Sequence, residues 1–461
     1  MSVLPSTTSR CQPALPVLRT RALRVVASPG TLPETVGSAL QVPTLSGPQP
    51  YANLDHAAST PALRTVKDAV DRALETYASV HRGAGYASRV TSAWYEQARA
   101  EVARFVGARE GDTVLFTRTT TDSWALLSKA LPGRTTVFVF GSEHHSTLLP
   151  WGRSRTVRLP VPQSPDDAAA LLEEALADHP ARHRLVVVTG ASNVTGEVWP
   201  VARLAELAHR HGARIAVDAA QLSAHREIDL AAWDADYVAF SGHKTYAPFG
   251  AGVLVGRSDW LDAGTPYLFG GGATTAVTEA GTAWATGPAR HEGGSPNVIG
   301  AVAIAAACAT IRTHREAIEA HEAELLARLR AGLEAVPGLE LLSIFGDDHD
   351  RVGVLAFTLE GWDSSLVSQV LSVEHGIGVR DGKFCAHLLV DELLDDPWQE
   401  RSTTAVRVSL GLASTAEGVD RLVRGVTLLV EQGPAATWVR GERGWQIEGE
   451  DPRDAEVARP W

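Results

Sequence analysis

Several short apolar runs in this chain end on a residue with usable chemistry. "YVAF" is followed by Ser241-Gly242-His243-Lys244, and "RIAV" by Asp218, with Gln221 three positions on. "TVLFT" leads into Arg118-Thr119-Thr120-Thr121, "VFVFG" into Ser142-Glu143-His144-His145, and "VVVTG" into Ala191-Ser192-Asn193. A lysine in a glycine-rich turn at the end of an apolar strand has its pKa lowered by desolvation, and the neutral amine can form a Schiff base. A carboxylate closing an apolar strand needs a cationic partner. Hydroxyls and backbone amides opening a helix suit a phosphate. Lysine, aspartate and phosphate cradle together are the set that binds pyridoxal 5'-phosphate (PLP), with the aspartate facing the pyridinium nitrogen. His144 would lie on the ring, and Asn193 offers an amide at the same edge. The His144-His145 pair lacks a third ligand at a zinc-like spacing, so no metal site is expected.

The elements that position these groups follow from the pattern. The runs at 113–117, 135–141, 184–190, 214–220, 237–242 and 250–256 are short and rich in β-branched residues. Between several of them lie amphipathic stretches such as "VARLAELAHRHG". Apolar strands alternating with helices give a mostly parallel sheet covered on both faces, which binds ligands beyond the carboxyl ends of its strands. The segment 295–336 is expected to hold two or more helices linking this part to a smaller α+β domain. That domain would have strands at 352–359, 376–380 and 404–412, a closing helix "EGVDRLVRGVTLLVEQ", then a hairpin and tail. The expected division is an extension over 1–48, a large domain over 49–310, a small domain over 311–435 and a tail over 436–461. Order is expected to begin near Tyr51, with the first segment packing against the small domain.

The bulk properties fit an α/β enzyme of more than one domain. The chain has 461 residues, 44% hydrophobic and 21% charged, with a net charge of −12. Such a balance does not favour nucleic acid, whose phosphates want a basic face. No apolar run reaches the length of a membrane span. Three cysteines without CxxC spacing give neither a disulfide framework nor a zinc signature, so a reducing, cytoplasmic setting is expected. The first 33 residues contain four arginines, five prolines and no acidic residue. They resemble a transit peptide in composition, but the proline spacing suits an amphipathic helix poorly, which disfavours organellar targeting.

On the motifs "LDHAAST" (54–60), "VDAAQ", "SGHK" and "VRVSLGL" (406–412), the chain resembles the class V aminotransferase family of fold-type I PLP enzymes. Within that family it is most like the group II cysteine desulfurases and selenocysteine lyases. The resemblance implies a large domain with a mostly parallel, seven-stranded-type sheet plus a smaller C-terminal α+β domain. It implies that Lys244 carries PLP as the internal aldimine, with Asp218 on the pyridine nitrogen and Gln221 on the ring hydroxyl. His144 would stack on the ring, and Thr120, Thr121, Ser241 and His243 would hold the phosphate. Asn193 and Arg407 would grip the substrate carboxylate, with Arg380 nearby. "EGGSPN" at 292–297 is similar to a family segment that crosses a homodimer, so Ser295 would act in trans.

A cysteine on its own reads as a small buried hydrophobe. The resemblance places Cys385, in "GVRDGKFCAHLL", on the family's nucleophile, with Lys383 or Arg380 as cations that would favour the thiolate. The implied reaction removes sulfur from L-cysteine, or selenium from L-selenocysteine, to give alanine, with a sulfur-acceptor protein as partner. The departures from the family pattern are Lys383-Phe384 before the cysteine, Ala247 in place of a glycine, and a longer acidic insertion, "VDELLDDPWQERSTTA". "HRGAGYASR" (81–89) also diverges after its first three residues. They leave the cofactor residues in place and keep open an aminotransferase, epimerase or C–S lyase acting on another amino acid. A protein that only bound PLP, or served as a scaffold, would have no use for an electron sink.

Overall fold

The computed structural model describes residues 31–152, 155–395, 403–442, 444–454 and 459–461. The core is a sheet of seven strands: β1 (Asp112–Thr117), β2 (Thr135–Phe140), β3 (Arg155–Leu159), β4 (His183–Thr189), β5 (Arg214–Asp218), β6 (Tyr237–Ser241) and β7 (Gly252–Arg257). Their spatial order is β1-β7-β6-β5-β4-β2-β3. β7 runs antiparallel to both neighbours and the remaining pairs are parallel. Every residue of β2 and β6 is buried, as expected for strands covered on both faces. β3 lies at the sheet edge with four partly or fully exposed residues before its buried end. Its "RTVRL" sequence lacks the continuous apolar run that marks the other strands, and sequence reading passed over it.

Four helices bear on the site: α1 (Thr120–Ala130), α2 (His145–Leu148), α3 (Ser364–His375) and α4 (His387–Leu394). The linking stretch forms two helices, Val298–Thr313 and Arg315–Glu334. The second packs with α3 and with the helix Ala416–Gln432 on one apolar cluster of the small domain. The small sheet is antiparallel, in the order β8 (Leu339–Leu341), β9 (Val354–Leu359), β11 (Ala405–Ser409) and β10 (Arg380–Gly382). A C-terminal hairpin, β12 (Trp438–Gly441) and β13 (Gly444–Ile447), lies against the same domain.

Two expectations are corrected. Order begins before Tyr51, because Gln41–Val42 pairs with Gln49–Pro50 and Thr35 bridges to Leu63; residues 1–30 lie outside those described. The single strand expected at 376–380 is two short ones. Ile377–Gly378 pairs in parallel with Ala52–Asn53, and Arg380–Gly382 pairs with β11. The acidic insertion opens as the end of α4, whose Leu389, Val390 and Leu394 are buried in an apolar cluster with Phe384 and Ala386. Residues 396–402 of that insertion lie outside the described residues.

Candidate active site

The carboxyl ends of β2, β4, β5 and β6, with the loop after β1, open onto one cavity of about 310 Å³. Thr120, Thr121, His144, Asn193, Asp218, Gln221, Ser241, His243, Lys244, Arg380, Cys385 and Arg407 all line it. Ser295 does not. It is exposed on the segment before the Val298 helix and lies outside the cavity wall.

One end of the cavity is built on a helix N-terminus. Thr119 caps α1, and Thr120 and Thr121 open it, so the positive end of the helix faces this corner. The Thr120 N–H donates to Ser241 Oγ at 2.7 Å, and the two hydroxyls are also 2.7 Å apart. β7 must pass close behind, and a Cβ on Gly252 would meet the Thr119 backbone at 2.7 Å. Only glycine leaves that corner open. The site suits a phosphate by shape and by donor chemistry.

Asp218 ends β5. Its Oδ1 accepts the Ala220 N–H at 2.9 Å, and its Oδ2 accepts Thr147 Oγ1 at 2.6 Å and Trp124 Nε1 at 3.4 Å. These donors hold the carboxylate without neutralising it, which suits a cationic ring nitrogen. Lys244 projects from the turn after β6. Desolvation, with Arg407 as the next contributor, pushes its pKa down to about 8. His144 Nδ1 accepts the Ser146 N–H at 3.1 Å and lies 2.8 Å from Ser146 Oγ, leaving the ring proton on Nε2. Burial, and then Lys244, push this imidazole down to about 4, so it is neutral near pH 7. Gln221 donates through Nε2 to the Ala57 carbonyl at 2.8 Å, which fixes its amide in the wall.

The opposite wall comes from the small domain. Arg407 is buried in β11 and donates to Asn193 O at 3.0 Å and to Asp55 Oδ1 at 3.0 Å. Arg380 is exposed on β10, with a nitrogen 3.9 Å from Asp55 Oδ2. Asn193 turns its Nδ2 to the Phe384 carbonyl at 2.8 Å, so that donor supports the cysteine turn. Cys385 is exposed at the cavity wall. Phe384 and Cys385 both have left-handed backbones, with φ of 52° and 55°, which is uncommon for residues other than glycine. Lys383 does not serve the thiol as expected. It lies outside the cavity wall and forms an ion pair with Asp391 on α4.

Sequence reading missed Asp55, Thr147 and Glu143. Asp55 stood in "LDHAAST" without a role. Thr147 lies one turn beyond His144, where a hydroxyl reads as an ordinary helix residue. Glu143 is fully buried and accepts the Thr189 N–H at 2.9 Å. Burial, with Asp218 nearby, pushes its carboxyl well above the ordinary range. Among the described residues no cluster could hold a metal ion, and no helix is long and apolar enough to cross a membrane.

A doubly covered sheet presenting a lysine, a strand-end aspartate and a helix-capped anion corner to one cavity defines a fold-type I PLP enzyme. Residues 52–422 match the Aminotransferase class-V family, and the chain belongs to it. A cysteine desulfurase of Dickeya dadantii (strain 3937) is 37% identical over 390 residues, covering 82% of this chain and 92% of that protein. The crystal structure of the cysteine desulfurase CsdA from Escherichia coli superposes with a TM-score of 0.71 at 30% identity, covering 83% of this chain and 95% of that one. The apo structure of a cysteine desulfurase from Thermococcus onnurineus NA1 gives 0.74 at 28% identity, covering 83% and 95%.

Proposed function

We propose that this enzyme takes L-cysteine or L-selenocysteine and releases alanine, leaving the sulfur or selenium on Cys385. Bound at Lys244, PLP would supply a sink for the electrons freed at the substrate's Cα. Thr120, Thr121, Ser241 and His243 would hold its phosphate, Asp218 its ring nitrogen, Gln221 its ring hydroxyl and His144 its face. Arg407, with Arg380 and Asn193, would bind the substrate carboxylate. Lys244, with a pKa near 8, can hold or release a proton at Nζ close to neutral pH. The Cys385 thiolate forms a bond to the substrate sulfur as the Cβ–S bond breaks. The carbon takes up a proton, leaving alanine and a Cys385 persulfide.

The observation that carries this reading is Cys385 on the wall of the cavity that also holds Lys244 and Arg407. An aminotransferase, an epimerase or a C–S lyase on another amino acid would use the same cofactor residues without needing a thiol there. The exposed turn also suits hand-over of sulfur to an acceptor protein. The position of Ser295 outside its own cavity supports a homodimer in which it serves the partner's site. The free thiols Cys308 and Cys385 suit a reducing, cytoplasmic setting.

Incubation with L-cysteine and a reducing thiol tests the reading, with sulfide and alanine both quantified. Equal amounts are expected, falling about 100-fold or more in Cys385→Ala, roughly 2.7 kcal/mol of barrier. Unchanged sulfide release in that variant would remove Cys385 from the mechanism. Product formation that requires a keto acid would turn the reading to transamination.

A further inference from the structure

We propose that Asp55 sets the charge of the substrate-carboxylate site, so that it accepts one carboxylate and discriminates against dicarboxylic ligands. This rests on the assignment of Arg380 and Arg407 to that carboxylate.

Arg380 and Arg407 are direct cross-strand partners in the β10–β11 ladder. Like charges placed directly opposite in an antiparallel pair repel, and Arg407 is also buried, where an unpaired guanidinium is costly. Asp55 answers both. One oxygen lies 3.0 Å from Arg407 and the other 3.9 Å from Arg380. The two arginines line the cavity and Asp55 does not, so it compensates them from behind the wall. Arg407 Nε is buried with no hydrogen-bond partner, so the guanidinium is not fully paired by the protein.

Asp55 is held in place. It bridges to Ser409, its N–H donates to Asn53 Oδ1 at 3.1 Å, and on either side Leu54 O accepts the Ser409 N–H and the Ala57 N–H donates to Ser409 Oγ. The carboxylate therefore stays when a ligand arrives. Two guanidiniums and one fixed carboxylate leave one positive charge, which one ligand carboxylate neutralises. A second ligand carboxylate would have no counter-charge in this pair.

The test is calorimetric titration of the PLP-loaded protein with propionate and with succinate. Wild type is expected to prefer propionate. Asp55→Asn is expected to shift the ratio of dissociation constants towards succinate by about tenfold, and Asp55→Glu to keep the wild-type ratio. The double variant D55N/R380Q, which restores a net charge of one, is expected to recover the preference even where D55N alone is unstable. With L-cysteine, D55N should change KM more than kcat. An unchanged ratio in folded D55N, or equal weakening of both ligands, would overturn the proposal, as would failure of the double variant to recover the preference. The titration needs no turnover. A shifted ratio in a protein that yields no sulfide would sink the desulfurase reading alone, whereas no binding of either carboxylate to any variant would remove this proposal.

Discussion

The backbone N–H of His145 donates to the carbonyl of Cys385 at 2.8 Å. The helix that begins beside His144 and the turn that carries the thiol are therefore one hydrogen-bonded unit, joining large and small domains at the cavity. Asn193 supplies the second tie, through the Phe384 carbonyl. Asn193→Ala is expected to lower kcat for sulfide release about tenfold, roughly 1.4 kcal/mol, while changing KM less. Steady-state kinetics decide it: a rise in KM alone would make Asn193 a carboxylate ligand and nothing more.

Asp218→Asn keeps the side-chain volume and removes the charge. Turnover is expected to fall about 100-fold or more, near 2.7 kcal/mol, with the variant still folded. Turnover per bound PLP, measured beside thermal melting, separates this from simple loss of cofactor. Wild-type turnover would show that Asp218 is not the ring partner.

Lys244 gives a pH prediction. Its amine is lowered from the ordinary lysine value to about 8, mainly by desolvation. The reactive neutral amine is then half populated near pH 8, so PLP uptake by stripped protein should accelerate up to that pH and level off above it. An unperturbed lysine would keep accelerating towards pH 10.5. The same depression means the unfolded chain binds more protons between about pH 8 and 10.5, so this lysine makes the stripped fold more stable as pH rises through that window. Stopped-flow absorbance across pH 6.5–10 reads the uptake midpoint.

Glu197 joins the loop bearing Asn193 to the small domain. Its Oε1 accepts Ser343 Oγ at 2.6 Å and the Phe345 N–H at 2.7 Å; its Oε2 accepts Thr195 Oγ1 at 2.6 Å and the Ile344 N–H at 2.7 Å. Glu197→Ala leaves those donors, the Thr195 hydroxyl and the Ile344 N–H among them buried, without their acceptor, at a cost of about 3 kcal/mol. Urea unfolding measures it, and a loss below about 1 kcal/mol would mean that water or local rearrangement replaces the carboxylate.

The central sheet was legible because its buried strands are apolar at nearly every residue and end in polar groups at one edge. β3 was not, because an edge strand with exposed arginines carries neither a continuous nor an alternating apolar signal. Lys244, Asp218 and the threonines of α1 could be read because each follows its strand directly in sequence. Asp55 and Thr147 could not, since their roles come from contacts with Arg407 and Asp218, which lie 352 and 71 residues away in sequence. Lys383 was misjudged for a related reason. Two residues from a thiol is close along the chain, but α4 brings Asp391 into an ion pair with this lysine.

The wall at Ala57, with Asp55 behind it, closes only when the segment at 52–57 meets β11. The Ser409 N–H donates to Leu54 O at 2.7 Å, a contact spanning 355 residues of sequence. Contacts of such long range form late, because the loop between them must first be ordered. During synthesis all seven strands of the large sheet are made once β7 has emerged, and Lys244 with them. The carboxylate pocket and the Gln221–Ala57 tie await the arrival of β11. On a ribosome this chain would therefore carry Lys244 long before the cavity around it is complete. Cofactor loading and substrate competence would be separate, ordered events in its maturation.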